Sequence, residues 1–392
     1  MTPDDPNEQS PPGQASPDPR PLSRLNPRRI VIGRLATVDV GVDGKRAWDL
    51  QVHDDRFYGR LLRAGSLGMG ESYMDGWWDC RRLDEMIYRI LRGDVKESAI
   101  GWSRVGASLR ASFVNLQSVS RAFQVGQRHY DIGEDLFRRM LDQRMIYSCA
   151  YWNEADDLDA AQEAKLDLIC RKLGLRPGMK VLDIGCGWGG TLQYAAERYG
   201  VEGVGVTISR DQAEHARRRC GDLPIEIRLQ DYRELEGPFD RALSVGMFEH
   251  VGVRNYRVFM QVVRRCLATD GLFLLHTIGS NRSKLAGDIW IDRYIFPNAK
   301  LPSVRQVTEA AEGLFALEDL HNIGANYDPT LMAWHANLEP RWDEIPHYDE
   351  RFRRMWRYYL LACAGSFRAR RNQVWQIVLS PGGVTGGYRS QR

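Results

Sequence analysis

From about residue 161 onward, short apolar runs alternate with stretches whose apolar residues recur every three to four positions. MKVLDIG, GVGVTIS, IEIRLQD, FDRALSVGM and LFLLHTI read as strands. AQEAKLDLICRKLGL, stopped by Pro177-Gly178, reads as a helix, and so do residues 189–199, DQAEHARRRC, NYRVFMQVVRRCLATDG and VRQVTEAAEGL. FALEDLHNI and WQIVLS close the chain as strands. Apolar strands separated by amphipathic helices predict an α/β fold with a doubly wound, mainly parallel sheet.

The N-terminal part has a different texture. Residues 1–27 are acidic and Pro-rich and read as a disordered tail. Residues 28–115 read as a small mixed α/β domain, with β-like stretches at Arg29–Val42 and Trp48–Val52. DCRRLDEMIYRILRG follows as an amphipathic helix with Leu83, Ile87, Ile90 and Leu91 on one face. A linker over residues 116–128 leads to the larger C-terminal domain at 129–392.

Composition narrows the setting. The longest apolar runs, Ile30–Ile32 and Gly271–His276, are too short to span a bilayer, and no signal peptide is visible. A cytoplasmic chain with at most peripheral membrane contact is expected. The seven cysteines are odd in number and form no CxxC pair, which argues against a disulfide framework or a zinc site. The net charge of +3 discriminates little. Two basic clusters, Arg217–Arg219 and the aromatic-rich Arg351–Arg371, suit anionic phospholipid, nucleic acid or plain solvated helix faces.

VLDIGCGWGG places Gly185, Gly187, Gly189 and Gly190 directly after a strand and at the start of a helix. Such glycines allow a sharp turn and close approach of a ligand. The spacing also fits a dinucleotide fingerprint. Asp183, two residues before the loop, would repel a pyrophosphate but suits a ligand carrying a sulfonium and an ammonium group. The next strand ends in Thr207 and Ser209, without the acidic residue that binds an NAD ribose. S-adenosylmethionine is therefore the expected cofactor, with Thr207, Ser209 and Gln212 supplying polar contacts. Asp231 and Tyr232, where the third strand ends, are candidates to flank the adenine.

Beyond these motifs, GSLGMGESYMDGWW, HYDIGEDLF, YSCAYW, SVGMFEHVG, FLLHTIGS, YIFPN, LPSVRQ, NIGANYDPT and ACAGSFRAR resemble those of the cyclopropane-fatty-acyl-phospholipid synthases, from about Phe57 to Leu379. The resemblance implies a Rossmann-like class I S-adenosylmethionine-dependent methyltransferase domain and an N-terminal domain for lipid engagement and dimer formation. It implies an active-site bicarbonate held by Cys149, Glu249, His276 and Tyr327, with Ile278 contributing through its backbone. Tyr147, Ser148, the glycine loop, Thr207, Gln212 and Tyr232 match cofactor contacts, and Cys363 matches a residue of the substrate pocket. The expected partners are an unsaturated membrane phospholipid at the inner face of the cytoplasmic membrane and a second copy of the chain, not nucleic acid. The nearest alternative is a lipid C-methyltransferase giving a methyl-branched acyl chain.

The chemistry explains these residue types. An alkene is a weak nucleophile and must be pressed against the methyl donor, where proximity supplies on the order of 7–11 kcal/mol. The resulting cation needs a dry aromatic lining, for which Tyr147, Tyr151, Trp152, Phe248 and Trp334 are candidates. A base must then take a proton from the new methyl group. Two anions about 4 Å apart repel by roughly 4 kcal/mol at an effective dielectric near 20, so bicarbonate beside Glu249 requires donors from His276, Tyr327 and backbone amides. On the substrate side, the Arg351–Arg371 segment suits an interfacial helix and the Trp77-Trp78 turn suits the same role, with the choice between them open.

Overall fold

A computed structural model describes residues 26–93, 133–283 and 287–392. The tail up to residue 25, residues 94–115 and the linker at 116–128 lie outside the described residues. The N-terminal elements are α1 (Pro27–Ala36), β1 (Gln51–Val52), α2 (Arg56–Met74), β2 (Trp78–Asp79) and α3 (Leu83–Arg92). The catalytic part opens with α4 (Glu134–Met140) and α5 (Leu158–Leu173). It continues with β3 (Lys180–Ile184), α6 (Gly190–Tyr199), β4 (Glu202–Thr207), α7 (Arg210–Arg219), β5 (Ile225–Leu229), β6 (Phe239–Val245) and α8 (Tyr256–Cys266). Then follow β7 (Leu267–Ser280), α9 (Ile289–Tyr294), α10 (Val304–Ala311), β8 (Ala316–Asn322), α11 (Tyr327–Leu338), α12 (Glu350–Arg368) and β9 (Asn372–Ser380).

The main sheet has seven strands in the order β5-β4-β3-β6-β7-β9-β8. Strands β3 to β7 pair in parallel, and β9 inserts antiparallel between β7 and β8. This is the expected α/β class I methyltransferase fold. One face is covered by a core that includes Phe259, Val263 and Val307, the other by a core that includes Leu166, Leu192 and Ala216. Strand order reverses between β3 and β4 on one side and β6 on the other, so the C-terminal ends of β3 and β6 open a crevice where ligands bind in such sheets.

A third core joins α1–α4 to α11 and α12, including Phe57, Trp78, Met86, Trp334 and Trp356. The N-terminal helices are thus packed onto the catalytic part, with α12 against α2, α3 and α11.

Two sequence readings change here. Arg29–Val42 is not β-like: Asn26 accepts a hydrogen bond from the Arg28 amide at 3.0 Å and Pro27 occupies the first turn, starting helix α1. The β-branched run Ile30–Ile32 masked a helical face on which Val31 and Leu35 are buried. The helix after Asn255 ends at Cys266 rather than at Gly271, because residues 267–270 already belong to β7.

The Arg351–Arg371 segment is also not an interfacial helix. Trp356, Tyr358, Tyr359 and Leu360 are buried. Arg354 donates to the carbonyls of Tyr73 and Trp78 and to Asp79, Arg357 pairs with Glu339, and Arg368 pairs with Asp84 and Asp328. These arginines tie the N-terminal helices to the catalytic part. Trp78 is likewise core, with Nε1 on the Met69 carbonyl at 3.1 Å, whereas Trp77 lies under the guanidinium groups of Arg56 and Arg60.

Candidate active site

The turn between β3 and α6 needs its glycines. Gly185, Gly187 and Gly189 have φ of 87°, 53° and 83°, the left-handed region that L side chains avoid. A Cβ at Gly190 would collide with the Arg144 carbonyl oxygen. The backbone is therefore bare where it faces a cavity of about 710 Å³.

Asp183, Gly185, Gly187, Thr207, Gln212, Asp231, Tyr232, Tyr147 and Ser148 all line that cavity. Thr207 Oγ1 donates to Gln212 Oε1 at 2.8 Å, fixing both groups. Asp231 accepts the Arg233 amide at 2.9 Å, which sets the turn carrying Tyr232. Two further groups face inward without protein partners: Asp183 Oδ1 and the Tyr232 hydroxyl are buried and make no hydrogen bond. Burial pushes the Asp183 carboxyl up to about 7, and the Lys165 charge opposes that rise. A ligand bringing a cationic amine and polar hydroxyls satisfies this set, so the residues fit S-adenosylmethionine. Gly189 and Ser209 do not line the cavity. Gly189 shapes the turn with its back to Ala216, and Ser209 caps α7 by accepting the Gln212 amide at 3.4 Å.

The other sequence-expected residues meet in the same cavity. Glu249 sits in a short helical turn, Phe248–His250, just past β6, and its Oε1 accepts the Ile278 amide at 2.5 Å. Its Oε2 is buried with no hydrogen-bond partner. Burial raises the Glu249 carboxyl to about 7, against the backbone amides that stabilise its charge. His276 and Ile278 are two residues apart on β7, on one face of the sheet. Burial, helped by the charges of Lys165 and Lys172, holds His276 well below the ordinary imidazole range, so its ring is neutral. Gln376 Nε2 lies 3.5 Å from His276 Nδ1.

Tyr327 starts α11, buried against Phe367 at a ring separation of 4.6 Å. Burial raises its hydroxyl, as do the neighbouring Cys149, Tyr147 and Glu249. Cys149 is fully buried, with its thiol raised by burial and directed to the Ala150 carbonyl at 3.3 Å. Cys363 lines the cavity, and burial pushes its thiol up to about 12, so it is a neutral wall group and not a thiolate nucleophile. Tyr327, His276 and Cys149 line the same cavity as Glu249. The Ile278 amide is engaged by Glu249, so it orients that carboxylate.

The structure also brings in residues that the sequence reading passed over. Lys165 is fully buried, and its Nζ donates to Ser148 Oγ at 3.0 Å. One turn earlier, Gln162 Nε2 donates to the Ser148 carbonyl at 2.9 Å. Asp142 accepts the Ile146 amide at 2.8 Å. These three hold the loop that carries Tyr147, Ser148 and Cys149. A Lys and a Gln among the apolar positions of α5 were the available signal.

Of the proposed aromatic walls, only Tyr147 lines the cavity. Phe248 stacks on Tyr256 at 4.2 Å, Trp152 donates to Thr330 Oγ1, Tyr151 meets His321, and Trp334 lies behind Tyr327. Phe137, Trp188, Phe296 and Phe367 supply the rings instead, with apolar residues of α1, α2 and α3 closing the far side.

This fold and cradle define an S-adenosylmethionine-dependent methyltransferase. The chain belongs to the mycolic acid cyclopropane synthetase family, whose pattern matches residues 117–377. It is 52% identical over 366 residues to the cyclopropane-fatty-acyl-phospholipid synthase of Escherichia coli (strain K12), covering 93% of this chain and 96% of that one. It is 37% identical over 263 residues to cyclopropane mycolic acid synthase 1 of Mycobacterium tuberculosis (strain ATCC 25618 / H37Rv), covering 62% and 91%. Among solved structures, the cyclopropane synthase MmaA2 from Mycobacterium tuberculosis aligns with a TM-score of 0.63 at 34% identity, covering 66% of this chain and 97% of that one. The mycolic acid cyclopropane synthase CmaA1, complexed with SAH and CTAB, aligns with a TM-score of 0.61 at 35% identity over the same shares.

Proposed function

We propose that this enzyme builds a cyclopropane ring across the cis double bond of an unsaturated phospholipid acyl chain. The observation that carries the reading is Glu249: one oxygen is held by Ile278, and the other is buried and unpartnered in a cavity that joins the cofactor cradle to apolar walls. The high identity to a protein named cyclopropane-fatty-acyl-phospholipid synthase supports the substrate class.

When bound, S-adenosylmethionine supplies an electrophilic methyl group and bicarbonate supplies a proton acceptor. The protein does the rest. Its apolar lining keeps water from the positive charge that develops on the acyl chain. Phe296 and Tyr327 offer ring faces to that charge. Glu249, Tyr327 and the neutral His276 would hold that ion, the carboxylate as acceptor for its hydroxyl and the other two as donors. A base held there would take a proton from the new methyl group, and the electron pair of that C–H bond would close the ring.

Among the described residues no helix is long and apolar enough to cross a membrane, and the reading places the enzyme peripherally at the cytoplasmic membrane surface. It also retains the expectation of a homodimer.

Incubation with S-adenosylmethionine and vesicles of a cis-unsaturated phospholipid, followed by analysis of the released acyl chains, tests the function. A cyclopropane product supports it. A methyl-branched chain selects the alternative C-methyltransferase reading, and no transfer rejects both.

A further inference from the structure

At the end of the cavity farthest in sequence from the cofactor motif, the lining comes from α1, α2 and α3, and it is mostly apolar: Val31, Leu35, Ile87, Ile90 and Leu91. Arg34, in the last turn of α1, breaks this pattern. It lines the cavity, and its Nη1 is buried with no hydrogen-bond partner. Ser66, beside the kink at Gly65 in α2, also lines the cavity with its Oγ buried and unpartnered.

Among the described residues, Arg34 forms no ion pair with a carboxylate. Near α1, Asp39 is held by Arg46 and Arg89, and Asp43 and Asp55 lie with Arg28. No described Asp or Glu of α1, α2 or α3 lines the cavity; the carboxylates that do include Asp288, which caps α9, and Asp292, which meets the Asn298 amide and Lys300. A second guanidinium is drawn to the same end. Arg371 lines the cavity, and its Nε and Nη2 donate to the Leu91 carbonyl at 2.9 and 2.6 Å. The end of α1 is tied to the end of α3 by Asp39–Arg89 and by Val38 packed on Gly93.

A guanidinium N–H buried without a hydrogen-bond partner is costly unless an anion meets it. We propose that this end of the cavity binds the phosphodiester of the lipid whose acyl chain occupies the apolar walls, with Arg34 as the principal donor and Ser66 beside it. The proposal rests on the function inferred above and deepens it. Guanidinium and phosphate oxygens match in geometry and charge. The arrangement fixes the headgroup at one end so that a double bond part-way down the chain arrives at Glu249 and the cofactor cradle.

The test uses the full chain and the variants Arg34→Gln, Arg34→Lys and Ser66→Ala. Two substrates are compared in non-ionic micelles: dioleoylphosphatidylglycerol, and dioleoylglycerol, which has the same chains without the phosphate. Arg34→Gln is expected to raise KM for the phospholipid about tenfold. Its kcat should be kept, and its KM for the diacylglycerol should not change. Arg34→Lys should recover part of the loss, and Ser66→Ala should show a smaller loss of the same kind. Direct titration of the phospholipid without S-adenosylmethionine reads the site even if no ring forms, so failure of the function and failure of the site are distinguishable. An unchanged KM and unchanged binding in Arg34→Gln, or equal losses on both lipids, would overturn the proposal. So would inorganic phosphate inhibiting the diacylglycerol reaction through Arg34 with no Arg34 dependence for the phospholipid, since the site would then serve a free anion.

Discussion

The Ile278 amide and the Glu249 carboxylate form the tightest link in the active site, at 2.5 Å, and this contact divides the two oxygens of Glu249 between backbone and cavity. Only Oε2 is left to act. Glu249→Gln keeps the shape and the contact with Ile278 but cannot accept a proton. Its kcat is expected to fall on the order of 100-fold or more. Steady-state methyl transfer with bicarbonate present and depleted checks this: the variant should respond little to added bicarbonate. Full activity with an unchanged bicarbonate response would remove Glu249 from its role.

The same carboxyl sets a pH dependence. Burial raises it to about 7, so below that pH Glu249 carries the proton it must accept. The account expects kcat to rise with pH through about 7 and then level. A pH–rate profile with saturating lipid and cofactor measures it. A flat profile between about pH 6 and 8 would show that another group carries the proton.

Lys165 is expected to act at a distance from the chemistry. Its removal frees Ser148 and takes away the charge that opposes protonation of Asp183. Lys165→Met should weaken S-adenosylmethionine binding about tenfold, or about 1.4 kcal/mol, by calorimetry. Stability gives a second readout. Burial lowers the folded Lys165 to about 8, whereas an unfolded lysine titrates at about 10.4. Between those values the unfolded chain binds more protons, so the Lys165 contribution to stability rises with pH. The unfolding free energy of wild type minus variant should therefore grow across that window.

Two neighbouring glycines should respond differently to alanine. Gly187 is left-handed with open space around a built Cβ, whereas a Cβ at Gly190 strikes the Arg144 backbone. Gly187→Ala should cost about 1–2 kcal/mol of stability. Gly190→Ala should cost more, because backbone must move. Urea unfolding of both variants orders them, and the reverse order would contradict the geometry.

Arg354 tests the structural role of α12. It bonds two carbonyls of the α2–β2 segment and Asp79. Arg354→Ala should destabilise the fold by about 1–3 kcal/mol by leaving those acceptors unmet. Vesicle affinity of the folded fraction should be unchanged. A loss of vesicle binding without loss of stability would restore α12 as a membrane face.

These residues mark how far the sequence could be read. The central strands of the sheet were legible because MKVLDIG and LFLLHTI are nearly continuous apolar runs that needed no tertiary information. The glycine turn was legible because motif and strand end coincide, whereas Glu249 was named only through the resemblance of SVGMFEHVG. Helix α1 was not, since Ile30–Ile32 has strand-like side chains and the decisive signal was the short Asn26-Pro27 cap. The arginines of α12 were misread because charge beside aromatics looks the same whether the partner is a phospholipid or Asp79 and Asp84. The cavity walls were out of reach. Phe296, Phe367 and Leu91 become neighbours only through packing of segments far apart in the chain, whereas Phe248, adjacent to Glu249, turns away into the core.

The central claim is that a methyl group is delivered to an acyl double bond and then loses one hydrogen to close a ring. S-adenosylmethionine carrying a fully deuterated methyl group, turned over on a cis-unsaturated phospholipid, reads this directly by mass spectrometry and NMR of the acyl product. The account expects a saturated three-membered ring that keeps two of the three deuterium atoms. A product that keeps all three on a methyl branch, or that bears a vinylic methylene, would contradict it.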